Sequence, residues 1–239
     1  SEYAAAEQAA GRGAELITGP ALRELEPALA ESVEAGLYYA EDATLNPLRL
    51  AVSLARELRR RGVGLATGSR VVRLAAASGR IAAVETTAGS VSPGQLILTT
   101  GWSAAELLAP LGIEVPLAPA KGQALATDPL PPLLHQNVMS GQLQRQLPSG
   151  HVIAGGSVEF VGPDQQITSP ASRAVLRIAR QAIPALADVP FPHVWTGLRP
   201  HTPDALPIVD RLPGLDNAFL AAGHFTKGVL LAPITGRRV

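Results

Sequence analysis

The sequence contains no cysteine and carries no net charge, and each absence excludes a class of protein. Its 239 residues include 20 basic and 20 acidic side chains. Without cysteine there is neither a disulfide framework nor a thiolate metal site. A nucleic-acid-binding protein needs a clustered positive surface to neutralise phosphates, which this balance of charges does not favour. No uninterrupted apolar run approaches the roughly 20 residues that cross a bilayer.

The N-terminal residues also lack the basic and then apolar layout of a signal peptide. We therefore expect a soluble, cytoplasmic globular protein whose length suits one large domain or two interleaved ones. The sequence opens at Ser1 and not at methionine, which we interpret as a sign of truncation. Lysine is rare, because only Lys121 and Lys227 are lysines and the other basic residues are arginines.

Helix signals mark six segments: residues 3–10, 20–25, 47–61, a short helix after 103, 170–183 and the residues from 228 onward. Asn46 is a typical N-cap, Pro47 suits the first helical position, and Gly62 favours the end of that helix. The segment Ser103-Ala-Ala-Glu106 has the pattern of a capping box, in which the serine oxygen accepts a backbone N–H and the glutamate reaches back.

Strand patterns define two strand-rich regions. A three-stranded meander is expected over residues 71–74, 81–86 and 91–99, with turns at Ser78-Gly79 and Ala88-Gly89. Further strands are expected at 36–39, 121–126, 142–147, 151–155, 193–198 and 218–222. Because strands and helices do not alternate strictly, this order indicates a mixed α/β or α+β fold.

Two C-terminal segments carry the chemical signals. The five histidines lack the spacing and the neighbouring carboxylates of a metal site, and there is no G-x-S-x-G elbow. Arg199 ends an apolar strand, where a guanidinium suits a bidentate carboxylate, although a loop-bracing arginine has the same pattern. The turn from Gly223 to Gly228 presents backbone N–H groups to an anion or polar ring edge, although an ordinary strand-to-helix turn would look alike.

These segments resemble a known family. GLRPHTPDALPIV from Gly197 and GLDNAFLAAGHFTKGVLLAPITG from Gly214 are similar to the C-terminal signature of FAD-dependent amino-acid and amine oxidoreductases of the D-amino-acid oxidase superfamily. The branches in question are glycine oxidase, D-amino-acid dehydrogenase and the cyanide-forming glycine dehydrogenase. Shorter matches follow the family order: ELEP from Glu24, residues 43–47, LTTGW ending at Trp102, PAKGQ from Pro119 and GGSVEF from Gly155.

The resemblance implies FAD as cofactor and a small amino acid or amine as substrate, oxidised by hydride transfer from the substrate Cα to flavin N5. It implies substrate binding at Arg199, with Leu143, Arg145 and Thr226 on the substrate side. It implies cofactor contacts at Val71, Thr100, Gly101, Trp102, Gly223, His224, Phe225, Thr226, Lys227, Gly228 and Val229. No catalytic acid or base is assigned, because the reaction requires a positioned, deprotonated amine. Lys121, in the PAKGQ segment, is interpreted as structural.

The sequence departs from the family pattern in three places. Leu143 stands where glycine oxidases carry a tyrosine, and Thr226-Lys227 stands where they carry an arginine. The G-x-G-x-x-G turn that cradles the FAD pyrophosphate is absent, so the chain resembles the family from well inside its nucleotide-binding domain. The substrate side chain and the electron acceptor stay open.

We expect two interleaved domains. Residues 1–43 and 116–200 are predicted to form an antiparallel-sheet substrate-binding domain, and 44–115 with 201–239 part of a Rossmann-like FAD-binding domain. Two alternatives remain. One is a dye- or quinone-linked dehydrogenase, peripheral to the inner membrane, in place of an oxidase. The other is a non-catalytic fragment or subunit that needs a homo-oligomer or a partner to supply the nucleotide-binding half.

Overall fold

The computed structural model describes Glu7, Gly11 and residues 13–239. Apart from Glu7, the helix predicted over 3–10 lies outside these residues. The described chain divides into two compact units: the first comprises the described residues up to 44 with 121–159 and 164–197, and the second comprises 45–120, 160–163 and 198–239. The assignment of substrate binding and FAD binding to particular segments stays a prediction.

Among the described residues, the first unit contains two α-helices with defined bounds and most of a five-stranded sheet. Its elements are β1 (Ala14–Thr18), α1 (Gly19–Leu25), β2 (Ala35–Tyr39), β7 (Ala118–Ala126), β8 (Val138–Met139), β9 (Leu143–Gln146), β10 (Val152–Gly155), α4 (Ser169–Ala182) and β11 (His193–His201). β7 and β11 begin or end in the second unit. β1 and β2 form an antiparallel pair, and the five-stranded sheet has the order β11-β7-β10-β9-β8.

The core of the first unit lies between this sheet and α4. Leu125, Val152 and Ala154 on one sheet face pack with Val175 and Ala179 of the helix. The inward face predicted for this helix is confirmed at Val175, Ala179, Ala182 and Ile183, whereas Ile178 is only half-buried.

The second unit contains the meander, a small mixed sheet and the C-terminal helix. Its elements are α2 (Pro47–Arg60), β3 (Val71–Ala77), β4 (Arg80–Thr86), β5 (Gly89–Val91), β6 (Leu96–Leu98), α3 (Ala104–Leu108), β12 (Ile208–Arg211), β13 (Ala218–Ala222) and α5 (Gly228–Arg238). The sheets have the orders β3-β4-β5 and β12-β13-β6. One apolar core joins Leu74 and Ile81 of the meander to Leu98, Leu108 and Leu220.

The structure corrects two local predictions. The strand expected over 91–99 is divided, because Pro93 has no N–H to donate to a ladder: β5 pairs with β4, whereas β6 pairs in parallel with β13. The capping box is also wrong. Ser103 has helical φ and ψ and caps nothing, and its hydroxyl donates to the carbonyl of Thr100 at 2.9 Å.

The signals around α2 are confirmed, but its apolar stripe is not covered. Asn46 Oδ1 accepts the Arg49 N–H at 3.0 Å, as expected of an N-cap. Leu50, Leu54 and Leu58 are 37%, 54% and 39% exposed among the described residues. In the described part of the chain, no helix is long and apolar enough to span a bilayer.

Candidate functional site

The candidate site of the second unit lies where two parallel strands end. β6 pairs in parallel with β13, with Ala218 opposite Leu96. Thr100–Trp102 follows β6, and Gly223-His224 follows β13. Parallel strands bring their carboxyl ends to one edge, so both segments lie at the same edge of this sheet. Open α/β sheets bind ligands at such an edge.

Gly223 occupies a position that has no room for a side chain. Its φ is +78°, and a Cβ built there would lie 2.8 Å from Thr202 Cγ2. Phe225, two residues later, also has a positive φ, of 48°. The backbone N–H of Phe225 donates to the Pro200 carbonyl at 3.0 Å. This bond holds the turn after β13 against the residue that follows Arg199.

The turn leads into α5, and no side chain caps the backbone donors at the start of this helix. Lys227 is the N-cap residue, and no side-chain hydrogen bond caps this helix. The first N–H groups of a helix, here those of Gly228 and Val229, have no acceptor within it. Together with the positive end of the helix dipole they favour an electron-rich atom. Thr226, Lys227 and Val229 are exposed.

His224 anchors the turn to the same helix. Its Nε2 lies 2.9 Å from Thr235 Oγ1. Burial lowers the pKa of His224, which keeps the imidazole neutral at neutral pH. The ring therefore braces the turn as a neutral hydrogen-bonding group.

Arg199 is half-buried in β11. Burial lowers the pKa of its guanidinium below the ordinary value for arginine. The group stays protonated, because arginine does not lose its proton in proteins. A poorly solvated cation of this kind gains from a carboxylate that pairs with it.

Sequence reasoning missed an aromatic cluster around His201. The imidazole lies edge-to-face between Phe160, at 4.9 Å between ring centroids, and Phe225, at 5.0 Å. Because His201 is two residues after Arg199 in one strand, both side chains leave the same face of β11. The alternation in GLRPH could have indicated this placement of His201, but Phe160 comes from a distant segment.

The remaining predicted cofactor residues of the second unit lie in the segment after β6 and at the start of β3. Gly101 has a φ of +64°, and a Cβ there would lie 3.9 Å from Pro200 Cβ, so the segment after β6 and the end of β11 approach closely. Trp102 is half-buried beside it. Val71 starts β3 in the meander, opposite Thr86, and packs against the apolar core.

Leu143 and Arg145 lie in the first unit, on β9. Both are half-buried, and alternation places them on one face of the strand. Arg145 Nε is buried without a hydrogen-bond partner among the described residues.

Comparison with known proteins gives the family. A model of the family described as DAO, FAD-dependent oxidoreductase, matches residues 1–239. This chain belongs to the DAO family. One DAO-family relative is hydrogen cyanide synthase subunit HcnC of Pseudomonas protegens, 34% identical over 219 residues, which are 90% of this chain and 52% of the relative. Another is glycine oxidase of Pseudomonas aeruginosa, 31% identical over 217 residues, 88% of this chain and 58% of the relative.

The fold agrees with the DAO family. The crystal structure of glycine oxidase from Geobacillus kaustophilus superimposes with a TM-score of 0.91 at 25% identity, covering 99% of this chain and 64% of that one. The chain thus spans about half the length of the curated relatives it matches, 52% and 58% of the two above. The resemblance and the mixed α/β fold are confirmed, whereas the roles of individual residues stay predictions.

The residues at the sheet edge fit the cofactor of the DAO family. A flavin presents electron-rich carbonyl and ring atoms at its pyrimidine end, which match backbone N–H donors at a helix start. Gly223 and Gly101 supply close backbone approach, because each lacks a Cβ and adopts a positive φ. The donor set of this edge therefore suits FAD.

Proposed function

We propose that this chain supplies the substrate-binding part and a portion of the FAD-binding part of an enzyme that oxidatively deaminates a small amino acid or amine. The observation that carries the proposal is the hydrogen bond from the Phe225 N–H to the Pro200 carbonyl, at 3.0 Å. It joins β11, the strand of half-buried Arg199, to a turn of backbone N–H donors.

Arg199 has the role of the carboxylate clamp in this proposal. Its planar guanidinium offers two parallel N–H donors, which fix both the position and the orientation of a carboxylate. Partial burial strengthens this pairing, because water competes less for the donors. A clamped carboxylate leaves the substrate Cα with one defined orientation.

The residues after β6 and β13 would hold the cofactor. When bound, FAD supplies the acceptor for the hydride that leaves the substrate Cα, and the oxidised substrate is then hydrolysed. The N–H groups of Gly228 and Val229 stabilise negative charge at the pyrimidine end. His224 keeps the turn in place through Thr235. No side chain is required to move the proton, since a neutral amine reacts directly.

Arg199→Ala in the FAD-loaded protein tests the clamp. Losing a charge-assisted pair in a partly buried site costs about 2–4 kcal/mol, so we expect the KM of a carboxylate substrate to rise about 30- to 700-fold. The flavin absorbance of the purified protein should not change. Arg199→Lys should restore part of the lost substrate binding, because lysine keeps the positive charge but lacks the two parallel N–H donors of the guanidinium.

The control is Arg70→Ala, since Arg70 is exposed in the same unit. This variant should keep the KM of the parent protein. An unchanged KM in Arg199→Ala would remove Arg199 from the substrate site. Oxygen consumption measured beside dye reduction then decides between an oxidase and a dehydrogenase.

One observation favours a second candidate, in which catalysis needs a nucleotide-binding half from outside the described residues. The stripe Leu50, Leu54 and Leu58 is apolar surface of the second unit that nothing in the described chain covers. Burial of such a stripe is favourable at about 25 cal/mol per Å² of apolar surface. Under this proposal the purified chain is colourless and FAD does not reconstitute it, whereas a chain that holds FAD by itself is yellow.

A further inference from the structure

The residues from Pro200 to Thr202, where β11 ends, contact the turn after β13 at three points. The Pro200 carbonyl accepts the Phe225 N–H at 3.0 Å. The ring centroids of His201 and Phe225 are 5.0 Å apart, and the rings lie at 79° to each other. A Cβ built on Gly223 would lie 2.8 Å from Thr202 Cγ2, so the backbone there lies close against Thr202. One short stretch of chain therefore holds the turn at Gly223 and at Phe225.

Phe225 is a strained residue of this turn. Its φ of +48° lies in the left-handed region, which a residue with a Cβ occupies at a cost in free energy. The turn therefore has a competing conformation with a negative φ at this residue. Contacts that favour the left-handed conformation shift the population toward it. The hydrogen bond to Pro200 and the ring contact with His201 have this effect, because both depend on where the turn places Phe225.

His201 is itself held by a second aromatic ring. The Phe160 ring lies 4.9 Å from the imidazole, measured between centroids, at an angle of 69°. Edge-to-face ring pairs at such distances are favourable beyond the apolar area that they bury. Phe160 is 64% exposed, whereas His201 and Phe225 are half-buried, and all three belong to the second unit. The imidazole is thus held by Phe160 and restrains the Phe225 ring.

We propose that His201 is a positioning residue for the turn after β13. Its imidazole stabilises the left-handed conformation of Phe225, and that conformation sets the direction in which the chain enters α5 at Gly228. The N–H groups at the start of α5 then meet an electron-rich ligand in one orientation. The consequence for FAD rests on the proposed function, whereas the restraint on the turn does not.

Hydrogen exchange of the backbone amides, followed by NMR, tests the restraint without any ligand. The Phe225 N–H donates to the Pro200 carbonyl, and the Lys227 N–H donates to the His224 carbonyl at 2.9 Å. Both amides therefore report local opening of the turn. His201→Ala should speed the exchange of both about 2- to 12-fold, which corresponds to the loss of one edge-to-face ring pair.

His201→Phe is the rescue variant, because a phenyl ring repeats the edge-to-face contact without the imidazole nitrogens. It should restore the exchange rates of the parent protein. His135→Ala, at an exposed histidine of the first unit, is the matched control and should leave the rates unchanged. Unchanged rates for Phe225 and Lys227 in His201→Ala would overturn the proposal, even where the melting temperature falls. So would equally fast exchange in His201→Phe, because the imidazole nitrogens and not the ring would then hold the turn.

Titration of FAD into the flavin-free protein, followed by the flavin fluorescence, tests the consequence for the cofactor. The apparent dissociation constant rises as the binding-competent turn becomes less populated. His201→Ala should raise it about 2- to 12-fold, and His201→Phe should restore it. An unchanged dissociation constant in His201→Ala would overturn the positioning role. If the parent protein itself does not bind FAD, the proposed function fails in its cofactor, and the exchange rates of the turn still decide the role of His201.

Discussion

Replacing Gly223 by alanine should destabilise the second unit through a contact that the structure specifies. The residue adopts a φ of +78°, and the added Cβ would lie 2.8 Å from Thr202 Cγ2 and 3.3 Å from Leu117 Cδ2. Thr202 is itself 1% exposed, so its methyl group cannot move into solvent.

The expected magnitude combines two terms. A non-glycine residue in the left-handed region costs about 1–2 kcal/mol. Overpacking a buried site by one methyl group costs about 1–3 kcal/mol. Their sum, about 2–5 kcal/mol, corresponds to a fall in melting temperature of roughly 4–20 °C for a chain of this size. Thermal unfolding followed by circular dichroism measures it.

A double-mutant cycle separates the two terms. Thr202→Ser removes Cγ2 and keeps the hydroxyl that donates to the Leu206 carbonyl at 2.8 Å. In the Thr202→Ser background, Gly223→Ala should cost the conformational term and the weaker contact with Leu117 Cδ2, so the two changes couple by up to about 1–3 kcal/mol. Gly228→Ala is the matched control: its φ is not positive and its Cβ would lie 3.4 Å from His224 Cβ. A loss for Gly223→Ala no larger than that for Gly228→Ala would refute this reasoning.

Three further changes test buried polar groups through the free energy of unfolding in denaturant. Asn217→Ala should cost about 2–5 kcal/mol, because the side chain bonds both the N–H and the carbonyl of buried Ile81, at 2.8 and 3.0 Å. Glu26→Ala should cost at least about 3 kcal/mol, because its buried carboxylate accepts hydrogen bonds from three backbone N–H groups. The control Glu24→Ala, at an exposed position, should change the free energy of unfolding by no more than about 0.5 kcal/mol. Lys121→Met should lower the free energy of unfolding by only about 1–2 kcal/mol, because the ammonium lies 3.5 Å from two partly exposed carboxylates. Lys121→Ala should lower it further, because the shorter side chain also leaves a cavity.

Local signals predicted much of the fold. Asn46 and Pro47 determine where α2 begins, because capping and the missing proline N–H depend on neighbouring residues only. Pairing between distant segments was not predictable in this way. β6 lies in the sheet of β13 because of tertiary packing, and nothing within 91–99 specifies that partner.

The candidate site likewise combines features that local sequence predicts with contacts between distant segments that it does not. Although β11 continues to His201, so that Arg199 lies within it and not at its end, the turn from Gly223 and the strand that carries Arg199 follow from local sequence. Their connection through the Pro200 carbonyl does not, since it depends on how two strands from separate segments meet. The pairing of His201 with Phe160 is likewise a product of topology.

The buried polar groups of the described chain differ in whether their hydrogen bonds within the fold explain them. Glu26, Lys121 and Asn217 are buried, and each holds a neighbouring loop or strand through hydrogen bonds, so each is explained by folding alone. Among the described residues, the buried side-chain atoms without a hydrogen-bond partner belong to Gln142, Gln144 and Arg145. Each such atom costs about 1–3 kcal/mol, which an apolar residue in the same hairpin would avoid.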